Sequence, residues 1–466
     1  MCGIAGTYKD NASVEKMIHA IKHRGPDSQG IVKCKGDAVQ GHARLALLDL
    51  SPASNQPFIL KSGEVLSFNG EIWNHSNLRK QLIKEGEEFN TTGDVEVLAK
   101  ALRRWGIHRA LKMLDGMFAF VWSTPSGKHY LVRDQFGEVP IYFVKNKTGG
   151  FIWASERKAF LTLKINRMIP KALPPGSFLD LVSGKLHKWY EIPDTRIEAE
   201  PASVLLSKLK TGIQHRLTAD APICVLISGG IDSSLILSIA TRMKKDIVAF
   251  TATFDEKSRD LFYARKLCKE LKVELIEVPI VVDEKSIENA ISAIEIGSKA
   301  QIEIAILCLP LADEMKRRGY KAVLSGEAAD ELFGGYGNFC IKASMVKTDA
   351  GIIQLRKQQL LKMSRGNFVR CNKIFLSRGV EIRLPFMHRP FVEQVVRLNL
   401  KDSPPGKKLL KQMAKNVVPD EIIKRSKETF QQGSGVSQFI AKELITNPTK
   451  FYNAHLKKRF QYLPKD

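Results

Sequence analysis

The chain has 466 residues, enough for two or three domains with sizeable cores, and its composition is that of an ordinary globular protein. No apolar run is long enough to span a bilayer and the start lacks the charged-then-apolar pattern of a secretory signal, so neither a membrane span nor export is expected, and the cytoplasm is the expected location. The 72 Lys and Arg against 49 Asp and Glu give a formal net charge of +23, which keeps nucleic acid open as a partner, although the basic residues are spread and clusters such as Lys457-Lys458-Arg459 are short. The seven cysteines are scattered, odd in number and without any C-x-x-C pair, which speaks against a disulfide framework or a zinc site.

The chain begins Met1-Cys2-Gly3-Ile4-Ala5-Gly6. Removal of Met1 would put a thiol and a free α-amine on one residue, and an amine with a solution pKa near about 8 can act as the base for its own nucleophile. Polar clusters follow: His23-Arg24-Gly25-Pro26-Asp27, Gly41-His42-Ala43-Arg44-Leu45, Phe68-Asn69-Gly70-Glu71-Ile72-Trp73-Asn74-His75 and Thr92-Gly93-Asp94. Each borders an apolar run such as Leu45 to Leu50 or Val65 to Phe68, so the expectation is a sandwich that presents these clusters in its loops. Gly116 to Trp122 and Tyr130 to Asp134 read as strands, and Pro174-Pro175-Gly176 as the exit.

In this order, from Cys2 to about Glu156, the motifs resemble the class II, N-terminal-nucleophile (Ntn) glutamine amidotransferase domain. The resemblance implies an α+β sandwich of antiparallel sheets between helices, over residues 1–190. It implies that the Cys2 thiolate attacks the glutamine side-chain amide, and that the Asn69 side chain and the Gly70 backbone N–H form the oxyanion hole. Arg44 would grip the substrate α-carboxylate, while Asp94 and Glu71 would hold its α-ammonium.

Further along, Ser203 to Leu217 has helical spacing. Ile223-Cys224-Val225-Leu226-Ile227 then reads as a buried strand, Ser228-Gly229-Gly230 as a turn, and Ser233 to Arg242 as a helix. Glycines that let backbone approach an anion, a helix start and two serines make a phosphate loop, and Asp232 beside phosphates calls for a divalent cation. The loop resembles that of ATP pyrophosphatases. Ile247 to Phe254 (strand), Arg259 to Leu271 (helix), Val273 to Val278 (strand), two helical stretches to Arg318 and the strand Lys321 to Leu324 continue the alternation. It predicts a Rossmann-like α/β domain with a parallel sheet over residues 200–466 and ligands at the strand ends. The last strand delivers Ser325-Gly326-Glu327-Ala328-Ala329-Asp330-Glu331 to that same edge.

With both halves in this order, the chain resembles glutamine-hydrolysing asparagine synthetases over nearly its whole length. The likeness implies that Asp232 and Asp330 hold Mg²⁺ with ATP, and that Ser228, Gly229, Gly230 and Ser233 bind the β,γ-phosphates. It further implies that Leu226, Ser325 and Gly326 contact the adenylate and that Glu327 is the acid/base at the acyl centre. Lys427, in Arg425-Ser426-Lys427-Glu428-Thr429-Phe430, would neutralise the α-phosphate and leaving pyrophosphate, and Glu381 to Phe386 would brace the sheet. Glutamine and aspartate would be the substrates, with ammonia crossing an internal passage. One departure stands out: where bacterial relatives carry Thr-Thr-x-Arg to hold aspartate, this chain has Ala300-Gln301-Ile302-Glu303. Either another base such as Lys299 substitutes or the acceptor differs, a modified nucleobase in tRNA or DNA being one such acceptor. A non-catalytic binding protein on the same scaffold is the alternative of another class, and assembly, a homodimer included, is left open.

Overall fold

The computed structural model describes residues 1–163, 169–346, 348–425, 434–445 and 447–459. The chain forms two compact units. Among the described residues, one comprises those of Met1–Glu191, Ser364–Glu381 and Asn453–Asp466; the other comprises those of Ile192–Met363 and Ile382–Tyr452.

The first unit contains two six-stranded sheets. Its strands are β1 (Gly3–Tyr8), β2 (Ser28–Cys34), β3 (Ala38–Arg44), β4 (Phe58–Ile59), β5 (Val65–Ile72), β6 (Gly116–Ser123), β7 (His129–Arg133), β8 (Tyr142–Lys145), β9 (Phe151–Ala154), β10 (Lys171–Ala172), β11 (Ser177–Asp180) and β12 (Leu186–Lys188). The orders are β10-β8-β9-β1-β3-β2 and β12-β11-β7-β6-β5-β4. Neighbouring strands pair antiparallel, for example Gly3 with Ala43 and Asn69 with Ala119. Strands β1 and β3 pack against β5, so the sheets face one another. Helix α1 (Val14–Ala20) covers the outer face of the first sheet through Val14, Met17 and Ile18. Helices α2 (His75–Lys84) and α3 (Asp94–Met113) cover the second, closing a core around Leu98, Leu102, Phe118 and Phe120. This is the expected antiparallel sandwich between helices.

The second unit opens with α4 (Ala202–Arg216) and then alternates: β13 (Ile223–Leu226), α5 (Ile231–Met243), β14 (Val248–Thr253), α6 (Arg259–Leu271), β15 (Leu275–Pro279), α7 (Glu284–Ile294), α8 (Lys299–Arg317), β16 (Ala322–Leu324) and α9 (Ala329–Phe333). Its five-stranded sheet has the order β15-β14-β13-β16-β17, where β17 is Glu381–Arg383. The β13–β14, β13–β16 and β14–β15 pairs are parallel. The apolar run at Ile223 forms a central strand because both its faces are covered, which is why no polar residue interrupts it. The strand order reverses beside β13, the place where an open parallel sheet leaves a crevice at its carboxyl ends.

One expectation needs correction. The clusters around His42 and Asn69 lie within strands β3 and β5 rather than in loops, and every residue of β5 is buried. The apolar run Leu45 to Leu50 is irregular. The physical reason is that β5 is covered on both faces, by β1 and β3 on one side and by α3 on the other, so its polar residues sit in the interior.

Candidate active sites

In the first unit, Cys2 stands immediately before β1 and is buried. Its backbone N–H donates to Asn69 Oδ1 at 2.7 Å, and its Sγ lies 3.9 Å from the Leu45 carbonyl. Asn69 is fully buried, and its Nδ2 has no hydrogen-bond partner among the described residues. One end of this amide fixes the Cys2 backbone while the other carries two N–H donors, an arrangement that suits an oxyanion. Gly70 has φ +151°, and a β-carbon there would come 2.0 Å from the Met117 carbonyl, so no side chain fits beneath the site. Burial pushes the Cys2 thiol above its ordinary value, with the nearby amine and the Leu45 carbonyl contact acting against it.

The other residues expected to meet glutamine lie in the same unit. Arg44 Nη1 donates to the Ser51 carbonyl and to Asn55 Oδ1, both at 2.8 Å, and Nη2 donates to the Asp49 carbonyl. Three of its five N–H donors thereby shape the 49–55 loop, leaving Nε and one Nη2 hydrogen. Glu71 is buried on β5. Asp94 opens α3, accepts from the Ile72 N–H at 2.9 Å, and has its carboxyl pushed up by burial against the opposing pull of His75.

A brace lies behind Cys2; from sequence only its Glu381 had a role, as a support of the parallel sheet. Arg24 Nε donates to the Cys2 carbonyl at 2.9 Å, Nη1 to Glu156 at 2.8 Å and Nη2 to Asn372 at 2.9 Å. The Met1 ammonium is ion-paired with Glu381, both buried. Arg24 and Glu156 could have been found from their motifs, whereas Asn372 and Glu381 lie more than 340 positions away along the chain from the residues they hold.

In the second unit, Ser228, Gly229 and Gly230 follow β13 and lead into α5. The Ser228 N–H donates to Ser233 Oγ at 3.2 Å, and that hydroxyl donates to the Gly230 carbonyl at 3.2 Å, so the loop is closed on itself. Gly229 has φ +67°, and a β-carbon would meet the Asp260 carbonyl at 2.5 Å; only glycine combines that dihedral with that clearance. Leu226 ends β13, and Ser325 and Gly326 follow β16, whose Leu324 pairs with Val225. A β-carbon on Gly326 would lie 2.8 Å from the Ser233 N, so the two loops touch.

Asp232 and Asp330 converge on Lys407, whose Nζ is 2.5 Å from one carboxylate and 2.6 Å from the other. Burial alone would lower the pKa of this lysine, but the two aspartates outweigh it and hold the ammonium above its usual range. Lys407 went unassigned from sequence, since nothing separates it from the surface lysines around Pro405-Gly406-Lys407-Lys408. The Glu327 N–H donates to Ser325 Oγ at 3.3 Å. Burial, with Glu327 and Asp330 close by, pushes Glu331 up to about 8, and the Tyr336 hydroxyl donates to it at 3.0 Å. Lys427 lies outside the described residues; Arg425, two positions earlier, is ion-paired with Asp260 and lies over the Tyr263 ring at 5.0 Å, beside Gly229.

Residues 1–175 match the glutamine amidotransferase domain family, and residues 205–360 and 342–447 match the asparagine synthase family. Asparagine synthetase B of Escherichia coli K12, a glutamine-hydrolysing enzyme, is 30% identical over 470 residues, covering 94% of this chain and 83% of its own. The chain belongs to the glutamine-hydrolysing asparagine synthetase family. Other members are as near: asparagine synthetase 2 of Oryza sativa subsp. japonica is 30% identical, covering 94% of this chain and 78% of its own. A probable asparagine synthetase of Schizosaccharomyces pombe is 29% identical, covering 94% and 85%. Among solved structures, the allosteric regulatory enzyme of purine biosynthesis aligns with TM-score 0.38 and 19% identity over 70% of this chain and 80% of its own. Membership in this family accounts for an N-terminal sandwich and a parallel-sheet unit in one chain.

Proposed function

We propose that this chain is an asparagine synthetase, converting aspartate, glutamine and ATP to asparagine, glutamate, AMP and pyrophosphate. Residues 1–190 would serve as its glutaminase domain and 200–466 as its synthetase domain. The observation that carries the reading is the amide of Asn69, anchored to Cys2 through Oδ1 with Nδ2 left to donate.

Once Met1 is removed, the Cys2 amine takes the thiol proton and the thiolate attacks the glutamine amide carbon. Asn69 Nδ2 and the Gly70 N–H receive the oxyanion, Arg44 holds the α-carboxylate, and Asp94 with Glu71 holds the α-ammonium. The amine returns its proton to the departing nitrogen, ammonia leaves, and water hydrolyses the thioester to glutamate.

At the second site the aspartate β-carboxylate attacks the α-phosphorus of ATP and pyrophosphate leaves. Ser228, Gly229, Gly230 and Ser233 hold the phosphates while Leu226, Ser325 and Gly326 line the adenylate. Ammonia attacks the acyl carbon, AMP leaves, and Glu327 takes the proton. Lys427, with Lys407, offsets charge on the phosphates. Mg²⁺ fits this donor set, because Asp232 and Asp330 already converge on one cationic centre at 2.5 and 2.6 Å; they would hold the ion, which when bound screens the phosphate charge. The seven free cysteines support a reducing compartment, and we place the enzyme in the cytoplasm.

The test is product analysis with glutamine, aspartate and ATP. AMP, pyrophosphate and asparagine in equal amounts are expected; ADP and phosphate in their place overturn the assignment.

A further inference from the structure

Glu303 lies in the second turn of α8. A short turn joins the end of α8 to β16, so the helix runs antiparallel to that strand and its first turns stand at the carboxyl edge of the sheet, where Ser228–Gly230 and Ser325–Gly326 also lie. The Ser437 side chain is near enough to the Glu303 carboxyl to pull its pKa down. Its segment reaches the end of β14, for Phe439 packs on Phe254 at 5.3 Å and a β-carbon on Gly435 would touch the same ring at 3.7 Å. Since β14 neighbours β13, Glu303 stands next to the strand end that carries the phosphate loop.

The charge arrangement here is incomplete. The Glu303 side chain is 2% exposed, yet its Oε1 has no hydrogen-bond partner among the described residues, and Lys299 Nζ stops 3.8 Å away with its own side chain 41% exposed. The hydroxyls of Tyr452 and Thr253 are likewise buried and without a partner among the described residues, and Glu303 is close enough to raise the Tyr452 phenol further above the range that burial already gives it. Burial pushes the Glu303 carboxyl up, against the pull of Ser437 and Lys299. A surface i,i+4 ion pair closes to hydrogen-bonding distance with both heads in water; this one leaves a carboxylate inside and an ammonium at the rim, side by side. That is the electrostatic complement of a zwitterion.

We propose that Lys299 and Glu303 seat the α-amino-acid head group of the acceptor, with Glu303 taking its ammonium and Lys299 its carboxylate. This rests on the aspartate reading above and refines it: the acceptor is recognised as an amino acid by a matched pair one helical turn apart.

Pyrophosphate release with ammonium chloride as nitrogen source separates the contributions, using aspartate, succinate (which lacks the ammonium) and β-alanine (which lacks the α-carboxylate). Glu303→Gln should raise KM for aspartate at least about tenfold and erase most of the preference for aspartate over succinate. Lys299→Met should do the same against β-alanine, and its exposed position keeps it a test if the buried variant fails to fold. In both, KM for ATP and the glutaminase rate should stay within about twofold of wild type, which a general loss of structure would not allow. Unchanged KM and unchanged preferences in Lys299→Met, with wild type active on aspartate, overturn the proposal alone. A wild-type enzyme that releases no pyrophosphate with aspartate overturns the underlying reading too.

Discussion

Cys2 and His42 show what burial does to single groups. Cys2→Ala removes the nucleophile but leaves the Asn69 anchor, which is made through the backbone N–H. Glutamine-dependent asparagine formation should vanish while ammonium-dependent formation persists near the wild-type rate; loss of both in a folded variant would refute the two-site scheme. His42 is fully buried, with Nε2 3.0 Å from the Phe68 carbonyl and Nδ1 unpartnered, and burial drives its pKa down to about 3 from 6.5. Below the unfolded value the unfolded chain takes up a proton that the folded chain refuses until about 3, so folding stability falls as pH drops through that window. The slope from this one group approaches about 1.4 kcal/mol per pH unit. Urea unfolding at pH 7 and 5 should therefore show a shallower pH dependence in His42→Gln than in wild type. An equal dependence would mean that His42 titrates normally.

Among the elements, the strand, loop and helix around Gly229 could be read from sequence because a run of β-branched residues, two glycines and a helical spacing are all local. Helix α6 was legible to the residue for the same reason. The clusters around His42 and Asn69 were legible as polar and placed in loops, since an alternation rule assigns buried polar residues to turns; only the packing of β1 and β3 on β5 reveals them as interior strand positions. Lys407 was illegible because its partners, Asp232 and Asp330, are brought to it by tertiary structure alone. The phosphate loop gives the prediction at this scale. Gly229→Ala places a methyl 2.5 Å from the Asp260 carbonyl at φ +67°, so the loop must shift away from α6. ATP-dependent pyrophosphate release should fall by at least about a hundredfold, as for a misplaced catalytic geometry, with glutaminase activity intact. Near-normal ATP use would show that the loop does not carry the phosphates.

Across the whole molecule, the two halves seen in the sequence are interleaved: Ser364–Glu381, from the second half, belongs to the first unit and supplies Asn372 and Glu381 behind Cys2. No local signal marks such a return of the chain. The net charge of +23 is the remaining global feature, and it bears on whether the acceptor is a nucleic acid. A basic surface binds polyanions through counterion release, with affinity falling by about 10³ or more between 50 and 200 mM salt when several phosphates are contacted. At the proposed acceptor seat, however, the buried group is the Glu303 carboxylate, which repels a phosphate backbone and favours a cationic group. Charge on the surface and charge at the site therefore point to different roles, so tRNA retention and catalysis should separate. Aspartate-dependent pyrophosphate release should be unchanged by ribonuclease treatment and vary by less than about twofold across that salt range, while any tRNA binding is lost. Pyrophosphate release that requires tRNA and collapses with salt would instead make the nucleic acid the acceptor and the surface charge part of the active enzyme.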